Sequence, residues 1–457
     1  MQKYKKCRSI FQNILFFYLK LLKRPNSVEK STIRIKASIS IPKNKYTYRQ
    51  KKQLSLQILT KQDMKAIIQS LTAKYSNYVI NCYHHIHSNP ELSFQEFETA
   101  RFIQQELTSM QIPFRSGIGG TGIVGKIEGK NPSKKIIGLR ADMDALPVNE
   151  EVEFPWKSTK ENVMHACGHD THVACLLGVA KILSEIKNQF EGTVLLIFQP
   201  GEESAPGGAR LMLEDGVFND IEPELILAQH ASIDYPTGTM AFLPGMIMAS
   251  ADEIHVKFHG KGGHGALPHL CDDTVLAAAQ TLVSLQQVRS RLCHPLIPMV
   301  LTFGKLIAGG AQNIIPHEVL LSGTFRTFDE KWRIEAKEHI KRIITNTALA
   351  YGCTAEINIP DGYPCVINND EITTQASEFA TEWIGSENIR SLETRMTSED
   401  FGIFTQKYPC TFYRYGVKGD SNANTGGLHS STFRIDEKAL ETGAGGMAWL
   451  AWRFLNN

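Results

Sequence analysis

The chain has 457 residues, enough for a sizeable buried core and more than one domain. Hydrophobic residues make up 42% and charged residues 21%, the balance of an ordinary globular protein rather than a disordered or membrane-embedded one. The net charge of +2 conceals an asymmetry: residues 1–62 carry 16 Lys and Arg against one acid, Glu29, so the remainder stands at −13, which speaks against nucleic acid as a partner of the body.

Residues 1–62 read as a basic, disordered extension. Their apolar run, Ile10 to Leu22, is interrupted by Lys20 and falls short of the ~20 residues a membrane span needs. A transit peptide or a weak interfacial anchor stays open, and Met64 is an alternative start. The nine scattered cysteines contain no CxxC pair, which argues for a reducing compartment, the cytoplasm.

From Asp63 the pattern becomes regular. "MKAIIQSLTAKYSNYVINCYHHIHSNPEL" has helical spacing up to Asn89-Pro90, where proline ends it. "SFQEFETARFIQQELTSM" predicts a second helix with Ser93 as N-cap and Glu96 closing a capping box. Gly117, Gly119 and Gly122 match GxGxxG, and "GTGIVGKI" approaches a phosphate loop. The stretch "IVGKIEG" alternates like a strand and opens no helix, so both read as hairpin turns. Strands in "KKIIGLRADMDALPV", "GTVLLIFQPGEE" and "ELILAQHAS" then alternate with helices in "HDTHVACLLGVAKILSEI" and "GGARLMLEDGVF". That rhythm predicts an α/β domain on a mixed, mostly parallel sheet, built from residues 63–249 and 363–457. Between them, residues 250–362 follow the order β-α-β-β-α-β, a ferredoxin-like insertion.

The polar clusters fall at strand ends, where open α/β sheets place ligands. "MHACGHDTH", Met164 to His172, sets Cys167 and His169 one glycine apart. Thiolate and imidazole suit a borderline divalent metal. The plainer alternative makes Cys167 a small core residue and the histidines caps of the next helix. Glu202 and Glu203 adjoin just beyond an apolar strand, where two carboxylates repel unless a cation or shared proton relieves them. His230 follows another apolar strand, and His429 sits in the loop "GGLHSSTF".

These motifs, with "LRADMDALPV", "GKGGHGALPH", "NIIP", "GTFRT" and "TSEDF", resemble the metal-dependent amidohydrolases of the aminoacylase/carboxypeptidase superfamily over residues 64–453. The resemblance is to its hippurate hydrolase, N-acyl-amino-acid amidohydrolase and indole-acetyl-amino-acid hydrolase branch. It implies one or two divalent ions, manganese or zinc foremost with cobalt or nickel possible. Cys167, His169, Glu203, His230 and His429 would be ligands and Asp142 a support behind them. Arg140 stands where related branches carry a histidine ligand. The insertion would be a lid that forms a homodimer. His264 would reach the partner's site to polarise the scissile carbonyl, and Asn313 and Arg326 would contact substrate. Gly201 and Thr397 depart from the usual alanine and glycine, which touches substrate preference.

The reaction so implied is hydrolysis of the amide of a small N-acylated amino acid by metal-activated water. Glu202 would move the proton from water to the leaving nitrogen. A dipeptidase or carboxypeptidase, or an N-acetyl-diaminopimelate-type deacetylase, would use the same chemistry. A non-catalytic scaffold would have no use for a free carboxylate beside a metal.

Overall fold

The computed structural model describes residues 60–419 and 426–457. The expectations for the leader, including the Ile10–Leu22 run, lie outside the described residues. The chain begins with helices α1 (Lys61–Ser88) and α2 (Phe97–Ser109). Strands β1 (Phe114–Ile118), β2 (Gly122–Glu128) and β3 (Ile136–Asp142) lead to helix α3 (His169–Glu185). Then come β4 (Thr193–Gln199), α4 (Gly208–Glu214), β5 (Leu225–Pro236), β6 (Met240–Phe242) and β7 (Gly245–Met248). The inserted segment contains β8 (Asp252–His259), β9 (Gly263–His264), α5 (Thr274–Gln287), β10 (Met299–Ala308), β11 (Ile314–Ile315), β12 (Glu318–Thr327), α6 (Glu330–Ala350) and β13 (Thr354–Asn358). The chain closes with β14 (Val366–Asn368), α7 (Asp370–Ile384), β15 (Ile389–Ser391), α8 (Gly402–Thr405), β16 (Cys410–Lys418) and α9 (Ala439–Leu455).

The large sheet has the order β1-β2-β4-β3-β5-β16-β6-β15. Its centre, β4-β3-β5-β16, is parallel, so these strands end on one edge. A parallel sheet covered on both faces explains the unbroken apolar runs. In β4, Val194, Leu196 and Phe198 join the core under α1, α3 and α9, while Leu195 and Ile197 face the opposite cluster with Met212 of α4 and Phe404 of α8. The glycine-rich stretch turns the β1–β2 hairpin, with Gly119 and Gly120 at φ 64° and 102°.

The inserted segment forms its own antiparallel sheet, ordered β10-β12-β8-β13. Ile254, Val256 and Phe258 of β8 alternate inward against α5 and α6 in a separate hydrophobic cluster. This is the ferredoxin-like order read from the sequence. Its two connections to the large sheet cross side by side. Ala251 N donates to Tyr363 O at 2.9 Å and Tyr363 N to Ala251 O at 3.0 Å. Only glycine fits at Gly362, where a Cβ would lie 1.8 Å from Ala251 O.

Two local expectations are corrected. The capping box on Ser93 does not form. Phe94 turns at φ 64°, Ser93 Oγ donates to Asp144 Oδ2 at 2.6 Å, and Glu96 accepts from Gly201 N and Thr121 Oγ1. The first turn of α2 is capped by Glu91, which accepts from the Thr99 amide at 2.9 Å. His230 lies inside β5 rather than after it, because pairing with β16 carries the strand on to Pro236.

Candidate active site

The C-terminal edge of the parallel strands gathers the five proposed ligands. Cys167 occupies the turn before α3, and Gly168 at φ 90° lets the chain swing directly into the helix that His169 begins. His230 comes from β5, Glu202 and Glu203 from the loop after β4, and His429 from the C-terminal loop at φ 65°. Cys167, His169 and His230 have ligating atoms within 4.8 Å of one another, as do Cys167, Glu203 and His429. Cys167 is common to both sets. Its Sγ is 3.5 Å from His230 Nε2, and His429 Nε2 is 3.3 Å from Glu203 Oε1.

The hydrogen bonds fix which imidazole nitrogens face inward. His230 Nδ1 donates to Ala231 O at 2.7 Å, which leaves Nε2 as a lone pair towards Cys167. Burial and the nearby Arg414 hold that ring well below its usual pKa, hence neutral. His169 Nδ1 donates to Asp144 O at 3.0 Å, and its Nε2 is buried with no hydrogen-bond partner. Glu203 Oε1 is likewise buried, with no hydrogen bond beyond the 3.3 Å approach of His429 Nε2.

Orphaned nitrogen and oxygen atoms beside a thiol are what a divalent cation would satisfy. Burial, with Glu203, pushes the Cys167 thiol up to about 12, so it keeps its proton in the absence of a cation. Burial opposes charge on His169, yet Asp142 and Asp144 outweigh it and hold the ring well above its usual range. A cation at these atoms would take the place of both protons. The residues therefore fit a centre of one or two ions.

Behind the ligands lies a buried network. Arg140 is 1% exposed and reaches Asp142 Oδ2 at 2.7 Å, Glu399 Oε1 at 2.8 Å and Asp400 Oδ1 at 3.0 Å. Burial works against its charge, and Asp142, Glu399 and Asp400 more than offset that. Asp142 also accepts from His172 Nδ1, and the other nitrogen of His172 accepts from Ala231 N at 2.9 Å. Asp142 Oδ2 lies 3.6 Å from His169 Nε2, so Asp142 sits directly behind the ligand shell. Asp144 orients both His169 and the Glu203 amide, which donates to its Oδ2 at 2.9 Å. His172, Asp144, Glu399 and Asp400 are functional residues that the sequence alone did not single out. The second aspartate of "RADMD" and the paired acids of "TSEDF" were the available signals.

Glu202 is 6% exposed, with Oε2 3.9 Å from His169 Nε2. Burial, then Glu399 and Glu203, raise its carboxyl well above the usual range. Tyr363, from the crossing, donates its hydroxyl to Glu202 O at 2.8 Å. Cys167, Glu202, Glu203, His230, His429 and Arg326 all line one cleft of about 440 Å³. Arg326 reaches it from β12 and donates to Met396 O at 2.9 Å. His264 and Asn313 do not line this cleft. They adjoin each other on the small β9–β11 pair, where Gly265 N donates to Asn313 O at 2.8 Å.

A sequence profile of peptidase family M20/M25/M40 matches residues 138–453. The chain belongs to that family. It is thereby a hydrolase with candidate metal-binding residues. Thermostable carboxypeptidase 2 of Saccharolobus solfataricus is 38% identical over 383 residues, 83% of this chain and 96% of the relative. IAA-amino acid hydrolase ILR1-like 2 of Arabidopsis thaliana is 38% identical over 374 residues, 81% of this chain and 83% of the relative. Among solved structures, a Bacillus subtilis protein described as a dinuclear metal-binding M20 peptidase superposes with TM-score 0.72 at 33% identity, covering 84% of this chain and 99% of that one.

Proposed function

We propose that this M20 hydrolase cleaves the amide bond of small N-acylated amino acids. The observation that carries the reading is Glu202, a buried carboxyl beside two adjoining donor sets in a cleft that an arginine also enters. Cys167, His169 and His230 would hold one ion, and Cys167, Glu203 and His429 a second. When bound, such ions, zinc or manganese foremost with cobalt or nickel also suited, supply Lewis acidity to the scissile carbonyl and the attacking water.

The chain's own side chains do the rest. Glu202 accepts the proton of the water and returns it to the departing nitrogen, so the amine leaves neutral. Its raised pKa suits a group that must hold that proton between the two transfers. Arg326, whose NH1 donates to Met396 O and Ser398 Oγ, presents its other guanidinium donors to the carboxylate of the amino acid. Asp142 and Asp144, held by Arg140, His172 and Ser93, keep His169 in its ligating orientation.

The four-stranded unit serves as lid and dimer surface in this reading. Its edge strand β10 and the neighbouring β11 expose Leu306, Ile307 and Ile314, at 42%, 47% and 54%. That apolar edge suits a second copy, whose His264 and Asn313 would complete the cleft and stabilise the oxyanion. The cytoplasm remains the proposed location. The eight described cysteines are all free, and no helix of the described residues is long and apolar enough to cross a membrane.

The test is a panel of N-acetyl and N-benzoyl amino acids and unblocked dipeptides, offered to protein reconstituted with zinc or manganese. Turnover of the acylated compounds at least ~10-fold above dipeptides supports the assignment. The reverse order would make the chain a dipeptidase.

A further inference from the structure

Arg414 is a buried arginine of the cleft that forms no ion pair among the described residues. It lies on β16 directly beside His230 on β5, so both side chains leave the sheet on the same face. It lines the cleft, yet it is only 5% exposed. Among the described residues the one hydrogen-bonding contact of its side chain is from NH2 to the sulfur of Met248 at 3.4 Å, and its Nε is buried with no partner. The Phe412 ring, 5.1 Å away, adds a weak cation–π contact.

A buried guanidinium without a carboxylate is costly, and arginines in such places are normally paired. The neighbouring acids, Glu399 and Asp234, accept from other donors and make no hydrogen bond to Arg414. Glu399 accepts from Arg140 and from the Phe401 amide, and Asp234 from Arg395 and Ser232. Arg326, the arginine reserved for the α-carboxylate, comes from the other sheet, on β12.

We infer that Arg414 is a second anion subsite, and that the preferred substrates are N-acylated amino acids carrying one anionic group beyond the α-carboxylate. The inference rests on the amide-hydrolase reading and narrows it. The second anion is a carboxylate on the amino-acid side chain or at the far end of the acyl group. It would form a charge-assisted pair with the Arg414 guanidinium at the cleft lining.

The experiment compares near-isosteric substrates on the metal-reconstituted protein. N-acetylglutamate against N-acetylglutamine probes the side-chain position, and N-succinyl-leucine against N-acetyl-leucine probes the acyl position. In at least one pair kcat/KM should favour the dianion by about 10- to 100-fold, the effect of a hydrogen-bonded charge. R414M, which keeps the bulk of the side chain, should abolish that preference, and R414K should restore part of it. Ratios near one in both pairs, or a preference that survives in R414M, overturn the inference while amide hydrolysis stands. If no amide is cleaved, the hydrolase reading fails instead. Calorimetric binding of N-acetylglutamate and N-succinyl-leucine, each against its neutral counterpart, to wild type and R414M then decides the subsite: dianion binding lost in R414M supports it, and equal binding of dianion and neutral compound to wild type overturns it.

Discussion

At the residue scale the centre depends on protons being in the right places. Glu202→Gln keeps the shape and hydrogen-bonding reach of the side chain but cannot carry a proton. Turnover should fall by ~10³-fold or more while metal content, measured by emission spectroscopy, stays at wild type. Near-normal turnover in that variant would remove Glu202 from the role. Cys167→Ala takes one donor from both sets at once, so metal content should fall for every ion bound. Unchanged stoichiometry would leave Cys167 as a core residue. His87 makes a third case. Its ring is buried between Asp170 at 2.6 Å and Glu150 at 3.1 Å. Burial opposes its charge, but the two carboxylates win and raise it to about 9. A folded pKa above the unfolded ~6.5 means the contribution is full below that value and is lost as pH rises through 9. Wild type should lose on the order of 3 kcal/mol between pH 6 and 10 that His87→Gln does not lose, by urea denaturation. Parallel curves for the two proteins would contradict this.

At the element scale, the period-2 and period-3.6 patterns made most strands and helices readable, because each buries a face or both faces in one of the hydrophobic clusters. The capping box on Ser93 misled because a hydroxyl near a helix start has other suitors. Asp144 is 51 residues away in sequence and took it. Arg140 was legible only as a non-ligand. Its grip on Glu399 and Asp400 joins residues some 260 apart, a pairing that no local pattern announces. The donor clusters were legible for the opposite reason: Cys167 with His169, and Glu202 with Glu203, stand together in the sequence, and His230 stands out in an apolar strand. Close helix contact gives a further test. On α3, a Cβ at Gly178 would lie 2.6 Å from Val79 Cγ2 on α1 and 3.2 Å from Ala444 on α9. Gly178→Ala gains ~1 kcal/mol of helix propensity, but overpacking costs about 1–3 kcal/mol, so the melting temperature should drop. A rise would show that α1 yields freely.

At the scale of the whole molecule, the cleft of one chain holds Arg326 but neither His264 nor Asn313. If a second copy supplies them, His264→Ala and Glu202→Gln are each nearly inactive alone but complementary together. Mixed and re-equilibrated, they should recover up to about a quarter of wild-type activity per total site, since random pairing makes half the dimers mixed and each of those has one intact site. No recovery, with dimers confirmed by light scattering, would place the complete site within a single chain. The crossing of Ala251 and Tyr363 bears on how such an assembly opens. Tyr363 is fastened at once to the strand beside it and to the carbonyl of Glu202. The fulcrum of any swing by the four-stranded unit therefore stands next to the proposed proton carrier. Points far out along the unit would sweep a wide arc while Glu202 hardly stirs, so product could escape without the machinery being taken apart each cycle.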